Sequence, residues 1–395
     1  MQKYVYIIIY FTGLSYLFSS CITPFEPIGV KDTGGILVVE GMILETGTTI
    51  QLSRTIGIDA ASDSDMEDLY RARVEVIDDR HNIIAVAEPK IIDGKTNPEF
   101  IVNDVITFTP GTKYALTIQV ENSLYQSDFV SPVTTPDIDE ITWKFNDDQS
   151  MEIMVSTHDP EGEVNYYRWA FEEDWEVRAA YFSPFLFDPV NRSLIEQNID
   201  GPNNTYYCWC SDVSKSIILG SSDKNTEAVI KNKRIHHILT NNSRFSFLYS
   251  ILVKQYGIDK EAYHYFENVQ KNINLAGSFF SPQPSEVRGN INCISNPDET
   301  VVGYIVATKE VETRIFIDME KNEGEDWHNC GDLYEFPFAD LLAAYINGLG
   351  ISYVYNEADQ EDEIYIYVCA PLRCTDCTQR GGTKNKPGFW PNNHQ

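Results

Sequence analysis

Short alternating segments separated by turns are the feature of this chain that most restricts its fold. Between residues 35 and 135, apolar and polar residues alternate in short runs, with no helical pattern between them. A period of two places side chains on opposite faces of a strand, and strands at this spacing favour two packed sheets. We therefore predict an immunoglobulin-like β-sandwich over residues 35–135, with strands at 36–43, 49–53, 72–79, 82–87, 105–108, 114–120 and 125–130.

A second, larger region follows the proline-containing segment 132–139, which we interpret as a linker. Residues 136–395 are predicted to form a β-rich (α+β) domain with one or two helices, and the Pro- and Asn-rich segment 183–205 reads as a long loop. The clearest helix lies near 259–276, where Asp259 is a good N-cap and Gly277 a stop signal. Its apolar face is predicted to contain Ala262, Phe266, Val269 and Ile273, and a second, shorter helix is predicted at 338–348.

The first 34 residues have the plan of an exported lipoprotein. A positive charge at Lys3 precedes a short apolar run, and Ser19 and Ser20 lead into Cys21. The run is too short for a membrane-spanning helix, so residues 1–20 are predicted to be a signal peptide. Cys21 is the predicted lipidation site, and residues 21–34 are a predicted tether. The alternative is an ordinary secretory signal that happens to end near a cysteine.

The formal charge of −29 limits the partners of the chain. No basic patch offsets the acidic residues, so nucleic acid and anionic membrane surfaces are poor partners. The acids are scattered in small groups, a pattern that favours solubility over one defined site.

Seven cysteines remain if Cys21 is acylated, and outside the cytoplasm disulfides are the default. The seven candidate disulfide cysteines are Cys208, Cys210, Cys293, Cys330, Cys369, Cys374 and Cys377, with a Cys-rich tail over 369–395. Because the number is odd, at least one is free or pairs between chains. Cys208 and Cys210 point to the same face of one strand, so we expect each to seek a distant partner. A four-thiolate zinc site from Cys330 and the last three cysteines is the alternative, and a redox Cys-x-x-Cys pair is a weaker one.

No catalytic pattern stands out, and we predict no enzyme activity, no metal and no cofactor. A Gly-x-Ser-x-Gly elbow, a His-Glu-x-x-His pair and a phosphate-binding glycine loop are all missing from the sequence. The acids of residues 172–176 beside Trp169 and Trp175 could hold a sugar. We favour the simpler interpretation, a half-buried strand with an acidic outer face.

Several local strings of this chain are specific enough to compare with known families. They are Tyr167-Arg168-Trp169, Trp175-Glu176, 249–256 (YSILVKQY), Glu261-Ala262-Tyr263, 280–290 (FSPQPSEVRGN), 296–299 (NPDE), 374–383 (CTDCTQRGGT) and 386–390 (KPGFW). Together these strings resemble one family of Bacteroidota surface lipoproteins, catalogued as domain of unknown function 4249. The resemblance implies an outer-membrane lipoprotein, typically paired with a SusC-like TonB-dependent transporter, and it implies no catalytic residues. Cys21 matches the lipidated position, whereas Cys210 and Cys293 look like additions.

Our leading functional hypothesis is a non-enzymatic accessory lipoprotein that captures a ligand for such a transporter, anchored through its lipid at the cell surface. A scaffold lipoprotein of an outer-membrane assembly or secretion complex is the second hypothesis. A surface hydrolase of glycans or peptides is the third. The sequence identifies no ligand.

Overall fold

The computed structural model describes residues 35–55, 67–90, 97–199, 201, 204–239, 243–275, 287–319, 330–359 and 362–391. The predicted signal peptide, Cys21, the tether and Gly277 lie outside these residues. Within them, no helix combines the length and the apolar character that crossing a membrane requires.

The described chain is mainly β, which confirms the predicted fold class. The first part contains β1 Leu37–Gly41, β2 Ile43–Leu44, β3 Thr49–Arg54, α1 Glu67–Tyr70, β4 Arg73–Asp78, β5 Ile83–Lys90, β6 Glu99–Ile101, β7 Tyr114–Val120 and β8 Ser123–Ser127. The middle part contains β9 Ile138–Phe145, β10 Met151–His158, β11 Tyr166–Arg178, β12 Phe185–Asp188, β13 Ser193–Glu196, β14 Tyr207–Val213, β15 Ile218–Ser221, β16 Val229–Ile238, a 3-10 turn Ser243–Phe245, β17 Leu248–Ile258 and α2 Lys260–Leu275. The last part contains β18 Ile291–Cys293, β19 Val301–Val302, β20 Ala307–Thr308, β21 Glu310–Asp318, β22 Tyr334–Pro337, a 3-10 turn Phe338–Asp340, α3 Leu341–Ile346, β23 Leu349–Asp359, β24 Asp362–Pro371, α4 Leu372–Thr375 and a 3-10 turn Cys377–Arg380.

The first sheet has nine strands in the order β18-β8-β7-β4-β5-β6-β3-β1-β19 and curls almost closed around one apolar core. Strand β5 joins its two halves, because residues 83–87 pair with β4 and residues 88–90 pair with β6. The predicted strand at 105–108 is wrong: this segment is irregular, although Ile106 is buried and its amide donates to the carbonyl oxygen of Glu45. Ile106 and the partly buried Phe108 pack in the core without a strand partner.

Residues far along the chain complete the first sheet. Strand β18 pairs with β8, and β19 pairs in parallel with β1. These strands fall within the range 136–395 that the sequence assigns to the second domain. The domain boundary near residue 135 stays a prediction. Strands β18 and β19, however, belong to the first sheet.

The second part of the fold is a sandwich of two sheets. The inner sheet has the order β16-β10-β9. The central sheet has the order β14-β11-β17-β21, with β15 beside β11. Apolar residues of both sheets form one core between them. Trp169 lies in this core and donates from Nε1 to Oε1 of Gln255 at 2.9 Å, while Gln255 donates to Oγ1 of Thr157 at 3.0 Å. The bonds satisfy polar groups that would otherwise destabilise the buried interface.

Helix α2 lies on the opposite side of the central sheet from the inner sheet and confirms the predicted helix. The Asp259 carboxylate accepts from the amide of Ala262 at 2.7 Å, as an N-cap residue does. Ala262 and Phe266 are buried and Val269 is partly buried, but Ile273 is 62% exposed. The predicted apolar face therefore contacts the sheet along its first three turns only.

A small C-terminal lobe completes the fold. Its sheet, in the order β22-β24-β23, packs with α3 around a separate apolar cluster. The segment 183–205, predicted to be a long loop, contains the β12–β13 hairpin, whose Phe185, Phe187 and Leu194 pack against that cluster. The loop interpretation is therefore wrong for residues 185–196, because apolar residues there are needed to cover the lobe.

Candidate functional site

A cleft of about 610 Å³ opens where the first sheet, helix α2 and the central sheet meet. We call it the interlayer cleft. Its walls come from β1 and the segment after β19 on one side, α2 on another, and strands β11 and β17 on the third. Cavities of about 300–1,000 Å³ commonly hold small molecules in proteins. The size and the three-sided construction of the cleft make it the best candidate for a ligand site among the described residues.

Strand β11 positions the charged side chain of the cleft. Its odd-numbered residues, including Tyr167 and Trp169, point into the core shared with the inner sheet. Its even-numbered residues, including Tyr166 and Ala170, pack on the side of α2. Arg168 has the same parity and lines the interlayer cleft. A strand with both faces covered thus carries one arginine into an otherwise largely apolar layer.

Arg168 is only partly exposed, and burial lowers the pKa of its guanidinium. The guanidinium carbon lies 4.6 Å from the centroid of the Phe266 ring, within cation–π range. The Arg168 guanidinium forms no ion pair and no hydrogen bond with any residue that the structure describes. The nearby Tyr256 and, to a lesser extent, Glu40 oppose the effect of burial on the pKa of Arg168, yet the Glu40 carboxylate is exposed to solvent and makes no ion pair with Arg168.

Aromatic rings form the wall next to Arg168. The Tyr265 and Tyr304 rings lie 5.1 Å apart, and the Phe266 ring lies 6.3 Å from Tyr304. Tyr265 and Phe266 come from consecutive positions of α2, whereas Tyr304 comes from the segment after β19. The long-range strand β19 is therefore what brings the third ring to the site.

The remaining charges of the cleft are already engaged or lie in solvent. Lys215 contacts Asp212 at 3.0 Å and Lys254 contacts Glu172 at 2.7 Å. The Tyr256 hydroxyl donates to the Glu310 carboxylate, and burial together with this carboxylate raises the pKa of Tyr256. Arg168 is consequently the lining cation that lacks a carboxylate partner within the described part of the chain.

A different set of charges lies on the other face of β11 and has a structural role. Glu173 is 2% exposed; its Oε1 accepts from Nε of Arg244 at 2.9 Å, and its Oε2 accepts from the Tyr249 hydroxyl at 2.7 Å. His236 Nε2 lies 3.2 Å from Oε2. Burial alone would raise the pKa of Glu173, but the hydrogen bonds from His236 and Arg244 outweigh it and lower the pKa to about 2.

This arrangement corrects the interpretation of residues 172–176 as a strand with an acidic outer face. Glu173 and Glu176 are both buried, and Glu176 pairs with Arg178 at 2.7 Å. Trp169 and Trp175 are buried as well, so their rings do not form a surface for stacking sugars. The Glu173 carboxylate is retained in the interior because His236, Arg244 and Tyr249 satisfy its oxygens.

The Glu173 cluster predicts a specific acid sensitivity. Its folded-state pKa of about 2 lies below the unfolded value of about 4.3, so its stabilising contribution is complete above that value and is lost as the pH falls toward 2. We expect this group to account for about 3 kcal/mol of the acid-induced loss of unfolding free energy. Urea unfolding at pH 6, 4 and 3 should show a smaller pH dependence for Glu173→Gln than for the unmodified chain. Equal pH dependence of the two proteins would contradict this role.

The candidate cysteines separate into two disulfides and three thiols. Cys208 bonds to Cys377 and Cys330 bonds to Cys374. The four-thiolate zinc alternative is therefore excluded, because three of its four sulfurs are in disulfides. No group of three or more metal-binding side chains occurs in the residues that the structure describes.

Cys210, Cys293 and Cys369 form no disulfide. They lie in three different apolar clusters, so none of them meets another thiol: Cys210 beside the sandwich core, Cys293 in the first sheet and Cys369 in the C-terminal lobe. Burial raises the pKa of Cys369 to about 11 and also raises the pKa of Cys210. Such thiols stay protonated near neutral pH and are poor nucleophiles.

The sequence does not identify Arg168 as a site residue, although it lies in the string Tyr167-Arg168-Trp169. The available signal is a basic residue between large aromatic residues in a strand predicted to be half-buried, since a covered basic position needs an anion or a ring to stabilise it.

Comparison with known proteins places the chain in a family without assigning an activity. No curated protein matches it. The family model described as Domain of unknown function (DUF4249) matches residues 22–314, a span that includes the first sheet, most of the central sheet, Arg168 and the three rings. The chain therefore belongs to the DUF4249 family.

Proposed function

We propose that this protein is a lipid-anchored outer-membrane lipoprotein that captures a small ligand in the interlayer cleft for a SusC-like TonB-dependent transporter. The single observation that carries the binding role is Arg168, a partly buried cation without a carboxylate partner in a cleft lined by aromatic rings. A binding site needs a few fixed polar groups on an apolar surface, and this cleft offers that combination.

The anchor and the transporter partnership rest on the sequence. Cys21 follows a short apolar segment and two serines, and it is followed by a proline-containing tether. A lipid at Cys21 would hold the folded body next to the membrane, where a transporter can receive what the cleft has bound. In this proposal the protein works by contact and leaves the ligand chemically unchanged, which sets it apart from the hydrolase alternative.

Removing the lipid site should separate the protein from its transporter. We expect the unmodified protein to co-purify with a β-barrel transporter from detergent-solubilised outer membranes of its native cells. Cys21→Ser should reduce the membrane-associated fraction and the recovered barrel by at least about tenfold, because a single non-lipidated chain loses its hydrophobic anchor. Quantitative mass spectrometry of the membrane fraction measures both quantities.

Cys293→Ser is the matched control, since it removes a thiol from a site unconnected to the anchor and should leave co-purification intact. A protein that fractionates as freely soluble with Cys21 in place would overturn the anchor. Recovery of assembly or secretion proteins without a transporter would favour the scaffold alternative.

A further inference from the structure

We propose that the interlayer cleft selects monoanionic ligands in which one carboxylate is attached to a flat unsaturated ring system. Arg168 would bind the carboxylate, and the rings of Tyr265, Phe266 and Tyr304 would contact the ligand ring. This inference rests on the proposed binding function and specifies the chemistry of its ligand.

Arg168 stands apart from the other cations of the cleft. The described lining contains three cations, Arg168, Lys215 and Lys254, and two carboxylates, Glu40 and Glu310. The two lysines are paired with Asp212 and Glu172. Arg168 makes no ion pair within the described part of the chain, although the whole chain carries −29, so its guanidinium is suited to an external anion.

The geometry of the arginine favours a carboxylate. A guanidinium presents a planar fork of donors that matches two carboxylate oxygens, and such pairs are stronger when water is partly excluded. Burial lowers the pKa of Arg168 because it disfavours the charged guanidinium. A bound carboxylate would stabilise that charged form. Glu40 and Glu310 lie in the same lining and would repel a second negative charge, which disfavours dianions such as phosphate monoesters.

The ring wall favours a flat unsaturated body. Phe266 lies directly under the Arg168 guanidinium at 4.6 Å, so the anion site and the aromatic surface share a residue. Tyr265 and Tyr304 continue that surface. Aromatic partners add about 0.5–1.5 kcal/mol beyond the burial of area when they pack edge-to-face or offset, which a saturated ring cannot reproduce.

Three probes with the same carbon skeleton test the ligand class on the purified full chain by isothermal titration calorimetry. They are 2-naphthoate, its neutral amide 2-naphthamide, and the saturated decahydronaphthalene-2-carboxylate. We expect 2-naphthoate to bind, the amide to bind at least about tenfold more weakly through loss of the charged pair, and the saturated acid about threefold to tenfold more weakly. Equal affinity for acid and amide, or no binding of any probe, would overturn the proposal.

Variants of the chain locate the binding. Arg168→Gln should weaken 2-naphthoate binding at least about tenfold and abolish the preference for acid over amide, whereas Arg168→Lys should retain part of that preference. Arg234→Gln removes an exposed cation of β16 outside the interlayer cleft and should change the affinity less than about twofold. If Arg168→Gln fails to fold, Phe266→Leu provides the test, with a loss of about threefold to tenfold expected for 2-naphthoate and a smaller loss for the saturated acid.

The two proposals fail in different ways. Binding of the neutral amide alone, retained in Arg168→Gln, would refute the anionic ligand class and leave a binding cleft in place. Binding of 2-naphthoate as expected by a chain that never co-purifies with a transporter would refute the partnership and leave the ligand class intact.

Discussion

Replacing Arg244 with leucine is expected to lower the free energy of unfolding by about 3–5 kcal/mol at pH 7, because the substitution leaves the Glu173 carboxylate buried without its cation. Arg244 donates to Glu173 from Nε, contacts Asp212 at 3.2 Å, and lies with its guanidinium carbon 4.1 Å from the Trp175 ring. Urea denaturation followed by tryptophan fluorescence measures the difference between the two proteins.

The pH dependence of this destabilisation distinguishes a lost charge from lost packing. Without Arg244 the Glu173 carboxyl should take up a proton more readily, so the destabilisation should shrink between pH 7 and pH 4. A destabilisation caused by lost packing would be the same at pH 7 and pH 4. The matched control is Arg234→Leu on the surface, where the Arg234 side chain is 60% exposed and pairs with Glu152, and where we expect a change below about 1 kcal/mol. An Arg244→Leu protein as stable as this control would refute the role of the Glu173 cluster.

Local periodicity explains what could be predicted of the fold. The alternation in Tyr114–Val120 identifies a strand correctly, and the cap at Asp259 locates the start of helix α2. These signals depend on neighbours within a few residues, and the structure preserves them because each element buries the face that its pattern defines.

Long-range pairing explains what could not be predicted. Strands β18 and β19 contain three and two residues, too few for a period to be visible, and their partners lie more than one hundred residues earlier in the chain. The interlayer cleft depends on them, because the segment after β19 brings Tyr304 against α2. A site assembled by such pairing has no local sequence signature.

Buried charges were the second source of error. The sequence predicts an acidic outer face for residues 172–176, whereas Glu173 is buried, as a carboxylate can be when it is paired. Its partners Arg244, His236 and Tyr249 lie 63 to 76 residues later in the chain, on β16, β17 and the turn between them. Only the tertiary structure brings them together, so composition and alternation predicted the strand correctly and the environment of its acid wrongly.

The second large effect concerns the disulfide between Cys208 and Cys377. Replacing both cysteines with alanine is expected to lower the free energy of unfolding by about 4–5 kcal/mol, since the bond closes a chain segment of 169 residues and restricts the unfolded state accordingly. Both cysteines belong to the core between the central and inner sheets, so the bond also fixes the C-terminal segment on strand β14, where Trp209 and Thr383 exchange backbone hydrogen bonds at 2.8 Å. Guanidinium denaturation of the double variant under non-reducing conditions measures the loss.

Cys210→Ala supplies the control for that measurement because this cysteine lies on the same strand, two residues from Cys208, and forms no disulfide. Its replacement should cost less than half of the double variant's loss, as expected for a partly buried small side chain. The Cys208→Ala/Cys377→Ala protein should also become sensitive to proteolysis within residues 378–391 before the rest of the chain unfolds, since only non-covalent contacts, among them the backbone bonds to β14 and the packing of Trp390 on Phe316, would then hold that segment. The double variant and the control could prove identical in protease resistance and stability. The cross-link would then contribute nothing to holding the C-terminal segment, and the packing of Trp390 against Phe316 would be sufficient.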